Sequence, residues 1–597
     1  MKYKFYILML IVILSAWMGM IDCSGSKSAG PADMVLVNGK IVTVDNDWSI
    51  AEAVAVKGRR IIGVGSDRAM KKLAASGTRV IDLKGRCVLP GLIEGHNHML
   101  SAAWRAMERT DDGFVRKEIP SMNTIADVLS YVESEARRLP EGEWIEVLRV
   151  FPTRLVERRM PTREELDRAA PNHPVVFHGG GGGVINSAAL RKCKIGRYPQ
   201  QPKTGTLVVD ADGYPTGLIR SAWSALEPGG WPLPVAFEDK LAALQEIQRQ
   251  YIKYGFTSTF ERACSIEDYQ VYQTLYDKDQ LIMRSNLTMM IPTDRLLVKN
   301  DPEKTRRKIQ SYIDDLEPFR AASDEVLKVN TLKVFTDGGI LTGTALMRKP
   351  WGIQQIYQIT DPDYRGIQRT PTDVIQLVVD EANRRGWQFT SHAAGDGGVE
   401  VLLDAYQVSN DSVGELNGRR FQITHGDFFG IDQIARAGRL GVIADAQWAW
   451  LYLDGPMISE ILEPERVDDF MPFRAWVEGG LVVAGGSDHM INFDPIKSIN
   501  CYHPFLGIWC MVTGKMRNGE SLGPAHQVSR EQALKMYTIN NAYMSFEEDL
   551  KGSIEKGKLA DLVVLSDDIL ACEVDRIRQI RVLLTMIDGR VVYRDSI

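Results

Sequence analysis

The chain has 597 residues, 44% hydrophobic and 25% charged, a globular composition at a length that suits more than one domain and excludes disordered, collagen-like and disulfide-scaffold classes. Its 71 Lys and Arg against 77 Asp and Glu give a net charge of -6. That balance leaves no electrostatic footprint for a polyanion, so nucleic acid is not an expected partner.

Lys2 and Lys4 precede an uncharged run from Phe5 to Ile21, followed by a Ser- and Gly-rich stretch to Gly30. This order predicts a signal peptide and flexible exit over residues 1–31, and hence a mature chain that is exported, periplasmic or membrane-anchored. Cys23 stands where a lipidated cysteine would, although Asp22 replaces the usual small residue before it. Cleavage, lipidation and retention as an uncleaved anchor all stay open, because the run approaches the ~20 residues of a membrane span. The other cysteines, at 87, 193, 264, 501, 510 and 572, form no CxxC pair and are expected in the core, not in a disulfide framework.

From Asp33 to Asp82 short apolar runs alternate with Gly or Asn-Gly turns, as in MVLVNGKIVTVD and AVAVKGRRIIGVG, which predicts hairpins of a small antiparallel sheet. The C-terminus reads the same way, in KLADLVVLS and VLLTMIDGRVVY. Residues 32–86 and 550–597 are therefore expected to form one β-sandwich closed by both ends of the chain.

Between them the period changes. CVLPGLIEGHNH (87–98), GFTSTFE (255–261), MRSNLTMMI (283–291), LKVFTDGG (332–339), WQFTSHAAGD (387–396), RFQITHGD (420–427), GVIADAQW (441–448) and LVVAGGSD (481–488) are apolar runs of strand length, each followed by a helical stretch. Eight such units predict an α/β fold, a (β/α)8 TIM barrel over residues 87–549 with its working residues at the carboxyl ends of the strands. Residues 99–254 separate the first strand from the second, far beyond an ordinary loop, so an inserted α+β subdomain is expected at about 105–245. Its glycine run, Gly179 to Gly183, lacks phosphate-loop or dinucleotide spacing and reads as a mobile hairpin or lid segment.

His96 and His98 are two apart, so on a strand both imidazoles face the barrel mouth and can share one metal ion. His392 ends the fifth strand, His425 the sixth and Asp488 the eighth; Lys333 lies in the apolar fourth strand, where a bare ammonium is costly. Each residue taken singly has an ordinary explanation as core histidine, ion-pair partner or helix cap. Their joint position around one rim is what points to a metal site.

The segments PGLIEGHNH, LKVFTDGG, SHAAGD, THGD and GGSD, followed by EQALKMYTINNA and GSIEKGKLADLVVL, occur in one order over the chain from about Asp33. This sequence resembles the metal-dependent amidohydrolase superfamily, specifically its YtcJ-like branch. The resemblance implies two divalent ions, zinc being expected: His96, His98 and Asp488 on the more buried ion, His392 and His425 on the second. It implies that Lys333 is carboxylated and that its carbamate bridges the ions, that a water acidified between them is the nucleophile, and that Asp488 serves as catalytic base and acid. Departures from the family pattern fall on substrate contacts. Glu94 replaces the usual Asp before His96, Gly181 stands where a His is common, and Gln447-Trp448-Ala449-Trp450 replaces Gln-Pro-x-His. Trp448 and Trp450, with Tyr452 beside them, are expected to line the substrate pocket together with Asp337, and to favour an uncharged, partly apolar group.

The resulting expectation is an exported hydrolase of an amide, N-substituted formamide or cyclic amide, with a small-molecule amide as its partner. A membrane tether and a homodimer are left open. A mononuclear deaminase of the same barrel and a non-catalytic envelope binding protein are the alternatives. The first usually carries His-x-x-Glu on strand five, where this chain has His392, Ala393, Ala394 and Gly395; the second usually loses metal ligands, and none is lost.

Overall fold

The computed structural model describes residues 30–595 except 111–112, 118, 121 and 149. The N-terminal apolar run and Cys23, on which export and lipidation were read, lie outside the described residues. Eight parallel strands form one sheet in strict sequence order: β1 (Leu92–Asn97), β2 (Phe256–Cys264), β3 (Arg284–Met290), β4 (Leu327–Phe335), β5 (Gln388–Ala393), β6 (Gln422–His425), β7 (Ile443–Gln447) and β8 (Val483–Gly486). The sheet closes on itself: the Ser487 and Asp488 amides donate to the His96 carbonyl at 3.2 and 2.8 Å, and the His98 amide donates to the His489 carbonyl at 2.9 Å. The fold is a TIM barrel, and its strands are the eight read from the sequence.

Glu94 helps to hold that seam. Its carboxyl accepts the Ser487 amide at 2.6 Å, and burial pushes its pKa up to about 8. The Glu that replaces Asp before His96 is therefore a brace between the first and last strands.

Two further sheets lie beside the barrel. One orders Arg60–Gly65, Ala53–Lys57, Met34–Val37 and Arg79–Asp82; the other orders Arg590–Arg594, Val582–Ile587, Leu562–Leu565, Cys87–Pro90, Lys40–Val42 and Ile50–Ala51, drawing on both chain ends. Period-two alternation packs Leu36, Val54 and Val56 of the first against Ile41, Val88, Leu562 and Leu584 of the second, while the opposite face, Val35, Val37 and Ala55, covers Met70. The Asp-Gly at 588–589 makes a tight hairpin with Ile587 paired to Arg590. The Asn38-Gly39 pair does not. Met34–Val37 pairs with Ala53–Lys57, whereas Lys40–Val42 pairs with Cys87–Pro90 in the other sheet, so Asn38, at φ 55°, turns the chain from one layer into the next.

The insertion forms a five-stranded mixed sheet ordered Ile145–Leu148, Val175–His178, Gly182–Ile185, Pro215–Arg220 and Thr206–Val209. Helices Ile125–Arg138 and Arg163–Ala169, each opened by a Thr capping box, cover one face through Val128, Val132 and Leu166. The glycine run is a packed hairpin, not a free segment. A Cβ at Gly183 would lie 2.1 Å from the Phe177 carbonyl oxygen, and one at Gly181 would lie 2.5 Å from Thr344 Oγ1 and 2.7 Å from the Gly339 nitrogen. Glycine at 181 is thus required by the close approach of the loop after β4. The described cysteines are free, and all but Cys572 are buried.

Candidate metal centre

His96 lies one residue before the end of β1 with no exposed surface. Its Nδ1–H donates to Asp445 Oδ2 at 2.9 Å, and Asp445 in turn accepts Thr424 Oγ1 at 2.9 Å and faces Arg262 Nη2 at 3.2 Å. His425 Nδ1–H donates to Gln447 Oε1 at 2.7 Å, and the Gln447 amide nitrogen is spent on Asp445 at 2.6 and 2.8 Å. His98, the residue after β1, donates Nδ1–H to the Arg262 carbonyl at 2.8 Å. Each donation fixes the tautomer. The neutral ring then keeps its lone pair on Nε2.

These nitrogens converge on Asp488. Its Oδ1 lies 3.6 Å from His96 Nε2 and 3.3 Å from His98 Nε2, and one ligand atom each of His96, His425 and Asp488 lie within 4.8 Å of one another. His96 Nε2 and Asp488 Oδ1 are both buried without a hydrogen-bond partner among the described residues. Two buried acceptors facing each other repel and are costly to bury; a cation between them satisfies both. The donor set of imidazoles and carboxylate suits a zinc-type ion.

The electrostatics agree with ligand chemistry. Burial, reinforced by Lys333, holds His96 well below the usual histidine range, and burial with the neighbouring ring does the same for His392 and His425. These rings are neutral, the form that binds metal. Burial alone would raise Asp488, but the neighbouring His98, His96 and Lys333 side chains hold it below its ordinary value. Backbone strain marks the same rim: His425 and Asp488 sit at φ 74° and 55°, left-handed conformations that non-glycine residues adopt at a cost.

Lys333 and His392 occupy the adjoining wall. Lys333 is buried, lies over the Phe335 ring at 5.4 Å, and is brought down to about 8 by burial and by Arg262. His392 donates Nε2–H to the Gly338 carbonyl at 2.8 Å, which leaves its lone pair on Nδ1, and its ring lies 4.4 Å from that of His425. All six residues named from the sequence thus meet at one mouth, where the His425 ring lies 5.3 Å from that of His96 and 4.4 Å from that of His392.

A cavity of about 360 Å3 opens over these groups, walled by Trp450, Phe151 and Trp223, by the glycines 179–181 of the insertion, and by the loop after β4. Trp450 belongs to this wall. Trp448 does not: it is fully buried, with its indole against Gly507 and 6.1 Å from the Tyr452 ring. Gln447 is the last strand residue and Trp448–Ile461 is helical. Residues two apart on a helix diverge by about 200°, so Trp448 and Tyr452 share one face and Trp450 the other. Asp337 lines the cavity, but its carboxyl accepts the amides of Leu346, Ala394 and Gly395 at 2.9, 3.0 and 2.9 Å, and burial raises it to about 7. It ties the loops after β4 and β5 together. Asp445 and Gln447 escaped the sequence reading, although they lie two apart on one strand, the same signal as His96 and His98.

A model described as an amidohydrolase family matches residues 79–593. Over 585 residues the chain is 27% identical to N-substituted formamide deformylase of Arthrobacter pascens, covering 94% of this chain and 98% of that protein. It is 25% identical over 575 residues to the putative amidohydrolase YtcJ of Bacillus subtilis, covering 94% and 99%, and 26% identical over 580 residues to the protein LONG AFTER FAR-RED 3 of Arabidopsis thaliana, covering 94% and 92%. Among solved structures, an uncharacterized metal-dependent hydrolase from Pyrococcus horikoshii matches with a TM-score of 0.65 at 20% identity, over 91% of this chain and 99% of that one. A zinc complex of atrazine chlorohydrolase TrzN from Arthrobacter aurescens matches at 0.52 and 13% identity, over 94% and 95%.

Proposed function

The chain belongs to the amidohydrolase family, and from that premise we propose that it hydrolyses a carbon–nitrogen bond of a small amide, N-substituted formamide or cyclic amide. The observation that carries this reading is the convergence of imidazole lone pairs, each fixed by a donated Nδ1–H, on Asp488 Oδ1. His96, His98 and Asp488 would hold one divalent ion, and His392 and His425 with a carboxylated Lys333 a second, zinc being the expected metal. Such ions polarise the substrate carbonyl and acidify water to a nucleophile near neutral pH.

The chain's own groups do the rest. Asp488, ionised at neutral pH, directs Oδ1 at the imidazoles, so Oδ2 takes the proton of the attacking water and passes it to the leaving nitrogen. Lys333 is brought near neutrality, so its amine can form an N–C bond to carbon dioxide and release a proton, replacing a buried cation by an anion. Asp445, Gln447 and Arg262 keep the rings in place, and the aromatic walls exclude bulk water.

One observation favours a single-ion variant: among the described residues, the group whose ligand atoms lie together is His96, His425 and Asp488, while His392 faces Gly338. Metal analysis after reconstitution with zinc, followed by assay on amides and N-substituted formamides, decides. About two ions per chain with turnover supports the binuclear hydrolase, about one points to the single-ion variant, and none overturns both.

Export is proposed on the sequence of the first 31 residues alone. N-terminal sequencing of the mature protein should find a start between Asp22 and Ala32, or a blocked Cys23; intact Met1 in a soluble cytoplasmic fraction would overturn it.

A further inference from the structure

Outside the ligand set, two polar atoms of the cavity wall have no hydrogen-bond partner among the described residues: Asp427 Oδ1 and Trp450 Nε1. Both side chains are more than nine-tenths buried, at 3% and 7% exposure, and neither belongs to the ligand set. Both are also held in place. His425 and Gly426 take φ of 74° and 57° in succession, which turns the chain sharply at the end of β6. Beyond the turn the Asp427 carbonyl accepts the Met471 amide at 2.8 Å. The Asp427 backbone is anchored, and its carboxyl, which burial and then the nearby Asp337 and Asp488 push well above the usual carboxylate range, is set into the wall with its carbonyl oxygen still able to accept. Trp450 is fixed by the Phe151 ring, edge-on at 6.2 Å, and by Arg154, 5.6 Å over its own ring, and its ring lies 6.3 Å from that of His425.

A fixed acceptor and a fixed donor in one cavity next to the reacting centre complement a ligand that offers the reverse pair. We propose that Asp427 and Trp450 select the substrate: Asp427 Oδ1 accepts a hydrogen bond from a substrate N–H, and Trp450 Nε1–H donates to an acceptor on the same molecule. The favoured class is compact, largely apolar amides that keep an N–H, secondary or cyclic, over N,N-disubstituted ones. This rests on reading the site as an amide hydrolase. Discrimination of this kind is strong because a site built to pair an N–H leaves its own buried acceptor unpaired when that hydrogen is absent.

The test uses N-cyclohexylformamide and N-cyclohexyl-N-methylformamide on zinc-reconstituted full-length protein, read as kcat/KM where turnover occurs and as calorimetric Kd where it does not. The parent should prefer the N–H compound by ~10–100-fold. Asp427→Leu keeps the bulk and removes the acceptor, so it should erase the preference by weakening the N–H compound alone, while Asp427→Asn, which keeps an acceptor, should retain it. Trp450→Phe keeps the ring and loses the donor, and should weaken both compounds alike. A preference that survives Asp427→Leu, or binding that Trp450→Phe leaves unchanged, overturns the inference. Should Asp427→Leu not fold, the Trp450→Phe result stands alone. Binding with the N–H preference but without hydrolysis would sink the hydrolase reading and leave this one standing; a parent that binds neither compound overturns the proposed class.

Discussion

Asp445 stands behind His96 with its charge matched by Arg262, and groups that orient a metal-binding imidazole commonly matter nearly as much as the ligand. Asp445→Asn should weaken zinc binding by ~10–100-fold, measured by competition with a chelating dye, and should also lower the melting temperature of the metal-free protein, because it leaves the buried Arg262 guanidinium without its carboxylate partner. Lys333 carries a pH prediction. Its folded pKa is lowered from 10.5 to about 8, so the neutral amine that reacts with carbon dioxide predominates above pH 8 and the unreactive ammonium below it. At a fixed concentration of dissolved carbon dioxide, reactivation of metal-stripped protein by zinc should therefore be faster at pH 9 than at pH 7; equal rates would argue against carboxylation. At this scale His96, His98, Lys333, His392, His425 and Asp488 were legible because histidines are few and each fell at a strand end. Asp445 and Gln447 are less legible because they are an acidic and an amide residue inside the run VIADAQ, and their shared strand face acquires a role only once His96 and His425 are brought beside it. Trp448 was misplaced because the strand period was carried past Gln447 into a helix.

Among the elements, the short 3-10 turn Pro152–Arg154 of the insertion is one of those that couple subdomain to barrel. Arg154 grips both carboxylate oxygens of buried Asp454, at 2.9 and 2.6 Å, and bonds Asn500 at 3.0 Å; Asn500 donates to the Asp488 carbonyl at 3.0 Å. Removing the guanidinium leaves Asp454 as a buried unpaired charge, a loss that costs about 3–5 kcal/mol. Arg154→Ala should lower the melting temperature by several degrees and raise KM, and Arg154→Lys should recover little, since one ammonium cannot make the bidentate grip. An unchanged melting temperature would show that the insertion is held elsewhere. The barrel strands were legible because each apolar run ends in polar or glycine residues and gives way to a helical period. Asn38-Gly39 was not: the dipeptide fixes a left-handed turn, but whether the flanking strands then pair or separate is settled by long-range partners, here Ala53–Lys57 and Cys87–Pro90.

Across the whole molecule, metal and fold are linked. An ion held by residues of β1, β6 and the β8 end binds only the closed barrel, so reconstitution at 100 times its Kd should stabilise by about 2.7 kcal/mol. Chelation should lower the melting temperature by a few degrees, and zinc should restore it. The two chain ends are equally tied to the fold. A chain ending at Ala560 loses Leu562–Leu565, which lies between Val582–Ile587 and Cys87–Pro90, and so exposes Val88 and Ile41. Such a truncation should be recovered as aggregate, not as an active barrel.

That central strand also sets a timetable for biosynthesis. Cys87–Pro90 leaves the ribosome before any barrel strand, yet its neighbour Leu562–Leu565 is made only after the last of them. At roughly 5–20 residues per second the wait is on the order of a minute. Throughout it, the nascent polypeptide carries an apolar strand with one edge open to any other extended segment. Co-expression of a holding chaperone, or slower growth in the cold, should therefore raise the soluble yield far more than any change to the metal supply.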